Sequence, residues 1–172
     1  MICDYPLIES TNNGYRVNPH LNIITDIQQF DRLCEAARQT VRPVQKVNYM
    51  KRAVHLYSGS IFREAQDEHW IVGQVNLYRL RYVALVNEFL GTLAETQDYA
   101  CVQHYALKAI DIMPGNLKAY YWLIVATYHL GAIDLARTEL KRSKSTLTSE
   151  EYSILLGNLK KTKDISIEEL TQ

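Results

Sequence analysis

The feature that most constrains the fold of this chain is a 34-residue spacing between side chains in its second half. Val86 and Tyr120 lie 34 positions apart, and so do Val102 and Ala136. Internal similarity at a fixed period of about 20 to 50 residues is typical of proteins that stack one small supersecondary unit on the next. A unit of this length accommodates two helices and a turn, so we expect stacked antiparallel helical hairpins.

Small and turn-forming residues occur where such hairpins need them. Small side chains at Ala109 and Ala136 allow two helices to cross at close distance. Gly131 permits a left-handed turn between helices, and Pro114 ends the preceding helix. The residues that mark the first unit are Val86, Phe89, Leu93, Val102, Ala106, Ala109 and Pro114, and those of the second are Tyr120, Leu123, Tyr128, Gly131, Ala136 and Leu140.

This order of residues resembles the tetratricopeptide repeat and predicts repeats at about residues 83–116 and 117–147. The second repeat is weaker after Leu140, because Ser143 and Thr148 stand where Ala and Pro are expected. A degenerate third repeat is predicted at residues 26–59.

Helical periodicity and end signals extend the helices over most of the chain. We expect one long helix at 70–95, or two in line near Gly73, and capping boxes that pair Asp26 with Gln29, Thr148 with Glu151 and Ser166 with Glu169. The long stretch carries an apolar stripe made of Val72, Val75, Tyr82, Val86, Phe89 and Leu93. The other predicted helices cover residues 27–39, 46–57, 99–113, 116–130 and 133–142, with one beginning near 149 and a short one near 167.

The N-terminal residues follow a different pattern, since two short β-prone runs at 7–9 and 15–17 flank a turn-forming cluster at 10–14. The predicted fold is therefore all-α: a tetratricopeptide-like, right-handed α-α superhelix of about seven to eight helices, preceded by a short β-hairpin. We place domain boundaries at 1–25 for the hairpin and linker, and at 26–172 for the helical domain.

Composition limits the classes of function that this chain can have. Lys plus Arg and Asp plus Glu both number 19, so no net charge draws the chain to nucleic acid or membranes. Three cysteines without a paired spacing favour a reducing compartment, and the absence of a long apolar run or a signal-peptide pattern favours the cytoplasm.

Cys101 and His104 lie one turn apart but lack a second pair of ligands, so no metal or other cofactor is expected. No phosphate loop or nucleophile motif is present, which predicts that the chain is not an enzyme.

Further residues resemble a particular family, the bacterial transcriptional activation domain of SARP-type regulators. Gly14 to Val17 resembles the closing strand of a winged helix, and Asp26 with Phe30 resembles the opening of the activation domain. The remaining matching residues are Ala53, Leu56, Tyr57, Gly59, Phe62 and Trp70. The resemblance implies a regulatory, protein-interaction domain that contacts RNA polymerase, its own winged helix or a second copy of itself. Because only the tail of a winged helix is present, it also implies that this chain does not read DNA by itself.

A free-standing adaptor that grips a partner's peptide is the alternative function. Repeat arrays of this kind bind extended peptides on the face lined by the first helix of each hairpin. The candidate binding residues on that face are Asn87, Lys118, Tyr121, Val125, Tyr128 and His129. The competing interpretation is that Tyr121 and Tyr128 pack inside the array, since large aromatic side chains at helical spacing are usually core residues.

Overall fold

The computed structural model describes residues 6–57, 59 and 69–171, and these residues form two strands and eight helices. The strands are β1 (Ile8–Thr11) and β2 (Gly14–Val17), and the helices are α1 (Asp26–Gln39), α2 (Pro43–Leu56), α3 (His69–Glu95), α4 (Tyr99–Ile112), α5 (Leu117–His129), α6 (Ile133–Thr146), α7 (Ser149–Lys161) and α8 (Ile167–Thr171). The predicted all-α class, the number of helices and the N-terminal hairpin are confirmed. Phe62 lies outside the described residues.

The two strands form an antiparallel hairpin in which Ile8 faces Val17 and Thr11 faces Gly14. Gly14 has a φ of 128°, a conformation that L side chains rarely adopt, which explains the glycine at the tight turn. The hairpin is closed by Asn18, whose backbone N–H donates to the Leu7 carbonyl at 3.0 Å and whose side-chain amide donates to the Pro6 carbonyl at 3.1 Å.

Two predicted helix starts are wrong by a few residues. Helix α1 is capped by Thr25 and Gln28 instead of Asp26 and Gln29, because the Thr25 hydroxyl accepts from the Gln28 N–H while the Gln28 side chain accepts from the Thr25 N–H. Helix α2 begins at Pro43, three residues before its predicted start. Proline is well suited to a first helical position, where the N–H it lacks would have no partner in the helix.

Helix α6 runs four residues beyond its predicted end at Arg142. The extension is rich in hydroxyl side chains, which bond back to carbonyls of the same helix. Ser143 donates to the Leu140 carbonyl at 2.7 Å, and Ser145 and Thr146 donate to the Arg142 carbonyl. Ser143 is fully buried, so it serves as the small residue that the repeat needs at this position.

Consecutive helices pack as antiparallel hairpins, α1 with α2, α3 with α4 and α5 with α6, and each hairpin packs on the next. Helix α7 packs against α5, and α8 packs against α6. The alanines predicted at helix crossings, Ala109 and Ala136, have no exposed surface. Gly131 has a φ of 78°, which confirms the left-handed turn between α5 and α6.

Helix α3 is continuous through Gly73, which resolves the alternative between one helix and two. Its predicted apolar stripe is buried at Tyr82, Val86, Phe89 and Leu93, whereas Val72 is 41% exposed. The stripe is buried from Tyr82 onward, where Tyr82 stacks on Tyr57 and Phe89 meets Tyr105 of α4 edge-on. The first half reaches back to α1 and α2 through the aromatic side chains of Tyr78 and Tyr82.

The buried crossing at Ala109 gives a test of the repeat register. We expect Ala109→Leu to lower the free energy of unfolding by about 1 to 3 kcal/mol, because the larger side chain overpacks the crossing. Urea denaturation followed by circular dichroism measures the change. Ala100→Leu is the matched control, since Ala100 lies exposed on the same helix and the substitution should change stability by less than about 0.5 kcal/mol. Equal stability of the two variants would show that Ala109 is not at a crossing.

Candidate functional site

The side of the array formed by the first helices of the hairpins carries a groove between α3, α5 and α7. It has a volume of about 440 Å³. Its lining residues are Asn87, Gly91, Leu117, Lys118, Tyr121, Trp122, Asn158, Lys161 and Thr162. We call it the α3/α5/α7 groove. Three of the six residues predicted for peptide binding, Asn87, Lys118 and Tyr121, therefore lie together in one groove.

The charge of the α3/α5/α7 groove comes from Lys118 on α5 and Lys161 at the end of α7. Both lysines are exposed, and neither forms an ion pair with any carboxylate of the described residues. None of the described residues that line the groove is acidic. The groove therefore presents two uncompensated positive charges, an arrangement that suits a carboxylate.

The wall of the groove combines aromatic and amide side chains. Tyr121 and Trp122 meet edge to face with ring centroids 4.9 Å apart, and both are half-buried. The Tyr121 hydroxyl lies 3.0 Å from the Thr162 hydroxyl, which joins α5 to the end of α7. The side-chain oxygen of Asn87 is buried and has no hydrogen-bond partner in the described structure. A buried acceptor without a partner is unfavourable.

The other three predicted site residues lie elsewhere. Val125 is buried in the core, with 3% of its surface exposed. The Tyr128 hydroxyl donates to a carboxylate oxygen of Glu169 on α8 at 2.7 Å, and this bond raises the pKa of Tyr128. His129 stacks on Tyr99 with ring centroids 4.3 Å apart. Val125 is thus a packing residue, and Tyr128 is covered by the C-terminal helix of the chain.

A second depression of about 590 Å³ lies between α1 and α3, and no pattern in the sequence predicts it. Its apolar part is formed by Leu77 and Leu80, which are 41% and 64% exposed. Its charged side chains are all paired: Arg81 with Asp31 at 2.7 Å, Arg38 with Glu35 at 3.7 Å, and Glu88 with Lys46 of α2 at 2.7 Å. Burial raises the pKa of the neighbouring Cys34 thiol to about 11. With paired charges and a protonated thiol, this depression has no evident charge preference.

The six residues predicted for peptide binding include none from α7, because α7 follows the two recognisable repeats. A signal was present, however. The Thr148–Glu151 capping box, which the structure confirms, fixes the start of α7. Asn158, Lys161 and Thr162 then follow at spacings of three and four residues, which places them on one face of the helix.

The described residues contain no group of three or more His, Cys, Asp and Glu side chains placed to hold a metal ion. Among the helices that the structure describes, none combines the length and apolar character needed to cross a bilayer.

Comparison with known proteins first defines the class of fold. The structure is similar to the C-terminal TPR-containing domain of an FK506-binding protein from Plasmodium falciparum, with a TM-score of 0.51 and 17% sequence identity, over 83% of this chain and 97% of that one. At this identity the likeness concerns the fold alone, which is an array of tetratricopeptide-like hairpins. No curated protein matches the sequence.

The family follows from the sequence itself. Residues 25–153 match the family model of the bacterial transcriptional activator domain. The chain belongs to this family, and the resemblance to activation domains is confirmed. Both the family and the tetratricopeptide-like fold consist of regulatory or protein-interaction domains rather than enzymes.

The unpaired amide of Asn87 gives a test of whether this residue has a structural role. We expect Asn87→Ala to leave the free energy of unfolding unchanged or slightly higher, because no hydrogen bond is lost and alanine favours the helix. Thr127→Val is the comparison, since the buried Thr127 hydroxyl accepts from the Gln103 amide at 3.0 Å. Its loss should cost about 1 to 2 kcal/mol. If urea denaturation shows similar losses for the two variants, Asn87 supports the fold and is not free for a ligand.

Proposed function

We propose that this chain is the interaction and activation part of a bacterial transcription regulator, without catalytic activity, and that it contacts RNA polymerase in the cytoplasm. The match of residues 25–153 to the activator-domain family carries the proposal. The fold supports it, because stacked hairpins bury their shared faces and leave the first helices free to meet a partner. The α3/α5/α7 groove is the surface that we assign to this contact.

The groove favours an acidic partner segment. Lys118 and Lys161 supply positive charge that the described residues leave uncompensated, while Tyr121 and Trp122 supply apolar area. Aromatic side chains beside a few polar groups are typical of interface centres. Exposed charges mainly increase the rate of association and the choice of partner, so we expect the contact to weaken as ionic strength rises.

A second candidate function is a free-standing adaptor that holds the C-terminal carboxylate of a peptide. The unpaired ammonium group of Lys118 favours it, because this group can bind a carboxylate that enters the groove. The two functions share the groove and differ in the partner. The adaptor requires a free peptide terminus, whereas the regulator requires a polymerase subunit.

Binding to purified RNA polymerase core and σ subunits, measured by biolayer interferometry, tests the proposal. We expect Lys118→Ala and Lys161→Ala each to weaken binding about three- to tenfold, since each removes one groove charge. Lys144→Ala is the matched control because Lys144 is exposed on α6 outside the groove, and it should bind as the unmodified chain does. The adaptor function would be supported instead if the unmodified chain bound no polymerase subunit. In that case it should bind an acidic peptide with a free C-terminus more tightly than the same peptide with an amidated C-terminus.

We propose further that the hairpin is the end of a winged helix that precedes this chain, and that residues 26–172 form the interaction domain. The hairpin leaves Ile8, Tyr15 and Val17 exposed, with 83% of Tyr15 accessible. An isolated two-stranded hairpin is marginally stable, so these apolar side chains need other residues to pack against. The rest of a winged helix would supply that packing.

Fluorescence anisotropy with promoter DNA tests this assignment. We expect the chain extended by its winged helix to bind its promoter at least about 10³-fold more tightly than the present chain, whose residual binding should be nonspecific and strongly salt-dependent. Equal affinity and sequence preference for both proteins would show that the DNA-reading surface lies in the helical domain.

A further inference from the structure

The last ten described residues, 162–171, form a segment that we call the C-terminal strap. It contains the turn after α7 and the short helix α8. Five helical residues are too few to persist by their own propensity. The conformation of the strap therefore depends on the surface against which it lies, which belongs to α5 and α6.

Two aliphatic side chains anchor the strap. Leu170 is 1% exposed and Ile165 is 9% exposed, and both belong to the hydrophobic core. Ile167 lies between them and packs against the same core from a half-buried position.

Polar contacts fix the direction of the strap. The Tyr128 hydroxyl donates to the Glu169 carboxylate at 2.7 Å and accepts from the Ser166 N–H at 3.3 Å. The Arg137 guanidinium donates to the Glu169 carbonyl oxygen. Ser166 accepts from the Glu169 N–H, but the Glu169 carboxylate does not return to Ser166 as the predicted capping box requires. That carboxylate is instead committed to Tyr128 on the array.

The covered surface lies within the family domain, and the strap lies outside it. The match to the activator-domain family ends at residue 153, whereas Tyr128 and Arg137 belong to the matched region. The domain thus contributes a hydroxyl, a guanidinium and an apolar surface. A segment beyond the matched region forms hydrogen bonds with the two polar groups and packs on the apolar surface. The occupied groups define the ligand: an acidic side chain flanked by aliphatic ones.

We propose that this surface on α5 and α6 is a binding site for short acidic-aliphatic peptides, and that the strap is an intramolecular ligand that a partner peptide of the same chemistry displaces. The site is separate from the α3/α5/α7 groove, and it does not depend on the proposed contact with RNA polymerase. Thr162, the first residue of the strap, bonds to Tyr121 in the groove. Because Thr162 is the C-cap of α7, this bond belongs to the groove and not to the proposed site.

The test cuts the strap after the protein has folded. A site-specific protease sequence is inserted between Lys163 and Asp164, both of which are exposed, and the purified full chain is then cleaved. The probe is a fluorescein-labelled peptide of residues 164–172, and anisotropy measures its binding. We expect the probe to bind the cleaved protein and to compete with the released fragment, while the uncleaved protein binds it at least about tenfold more weakly.

Matched peptides define the contacts. Leu170→Ala in the probe removes the most buried anchor, and Glu169→Gln removes the charge that meets Tyr128, so each should weaken binding at least about tenfold. Glu168→Gln is the control, because Glu168 is exposed and its carboxylate accepts from Ser166 within the strap itself. The Glu168→Gln probe also loses one negative charge, at the neighbouring position, and it should bind as the unmodified probe does.

Each outcome bears on the proposal. If the cut fragment stays bound through gel filtration, the proposal is supported when a Leu170→Ala chain loses its fragment under the same conditions. Loss of the helical circular dichroism signal on cleavage would overturn it, because the strap would then be part of the fold. A cleaved, folded protein that binds no probe would also overturn it. The proposal would also be overturned if the intact chain were a dimer that became monomeric on cleavage. The strap would then bind to a second copy of the chain and not to its own surface.

Discussion

The close approach of α4, α5 and α6 at buried alanines is the contact on which the rest of the array depends. Five alanines on these helices have no exposed surface: Ala106, Ala109, Ala119, Ala126 and Ala136. Small side chains allow the ridges of one helix to enter the grooves of the next. Because this packing fixes the orientation of α5, it also fixes which of its side chains face the α3/α5/α7 groove and which face the core. Lys118 and Tyr121 face the groove, and Val125 faces the core, for this reason.

The first hairpin also buries small residues, Ala37 and Ala53, but its contact with α3 is made by aromatic rings. Tyr57 stacks on Tyr82 with centroids 4.4 Å apart, and Phe30 meets both Tyr57 and Tyr78. The hydroxyls of Tyr57 and Tyr82 are buried, and the described structure gives them no hydrogen-bond partner. Burial raises the pKa of both. The rings contribute a large apolar area at the cost of two unpaired hydroxyls.

The sequence predicts the fold well because the signals that define it are local or periodic. The interval between Val102 and Ala136, the turn at Gly131 and the cap at Thr148 each specify a helix or a turn without knowledge of the rest. The site is predicted in part. Periodicity identifies the face that carries Asn87, Lys118 and Tyr121, but the same face includes Val125 and Tyr128. Which of these residues remain accessible depends on α7 and α8, which approach from outside the repeats, and no spacing within the repeats encodes that approach.

Polar groups in this protein divide according to whether the fold satisfies them. Between α1 and α3, Asp31 accepts from both Tyr78 and Arg81, so that region gains nothing further from a charged ligand. In the α3/α5/α7 groove, the Asn87 oxygen and the ammonium groups of Lys118 and Lys161 remain without partners in the described structure. An unmade hydrogen bond at a buried acceptor costs about 1 to 3 kcal/mol. The two depressions therefore differ in chemistry: the larger one has paired charges, whereas the groove keeps two unpaired ammonium groups.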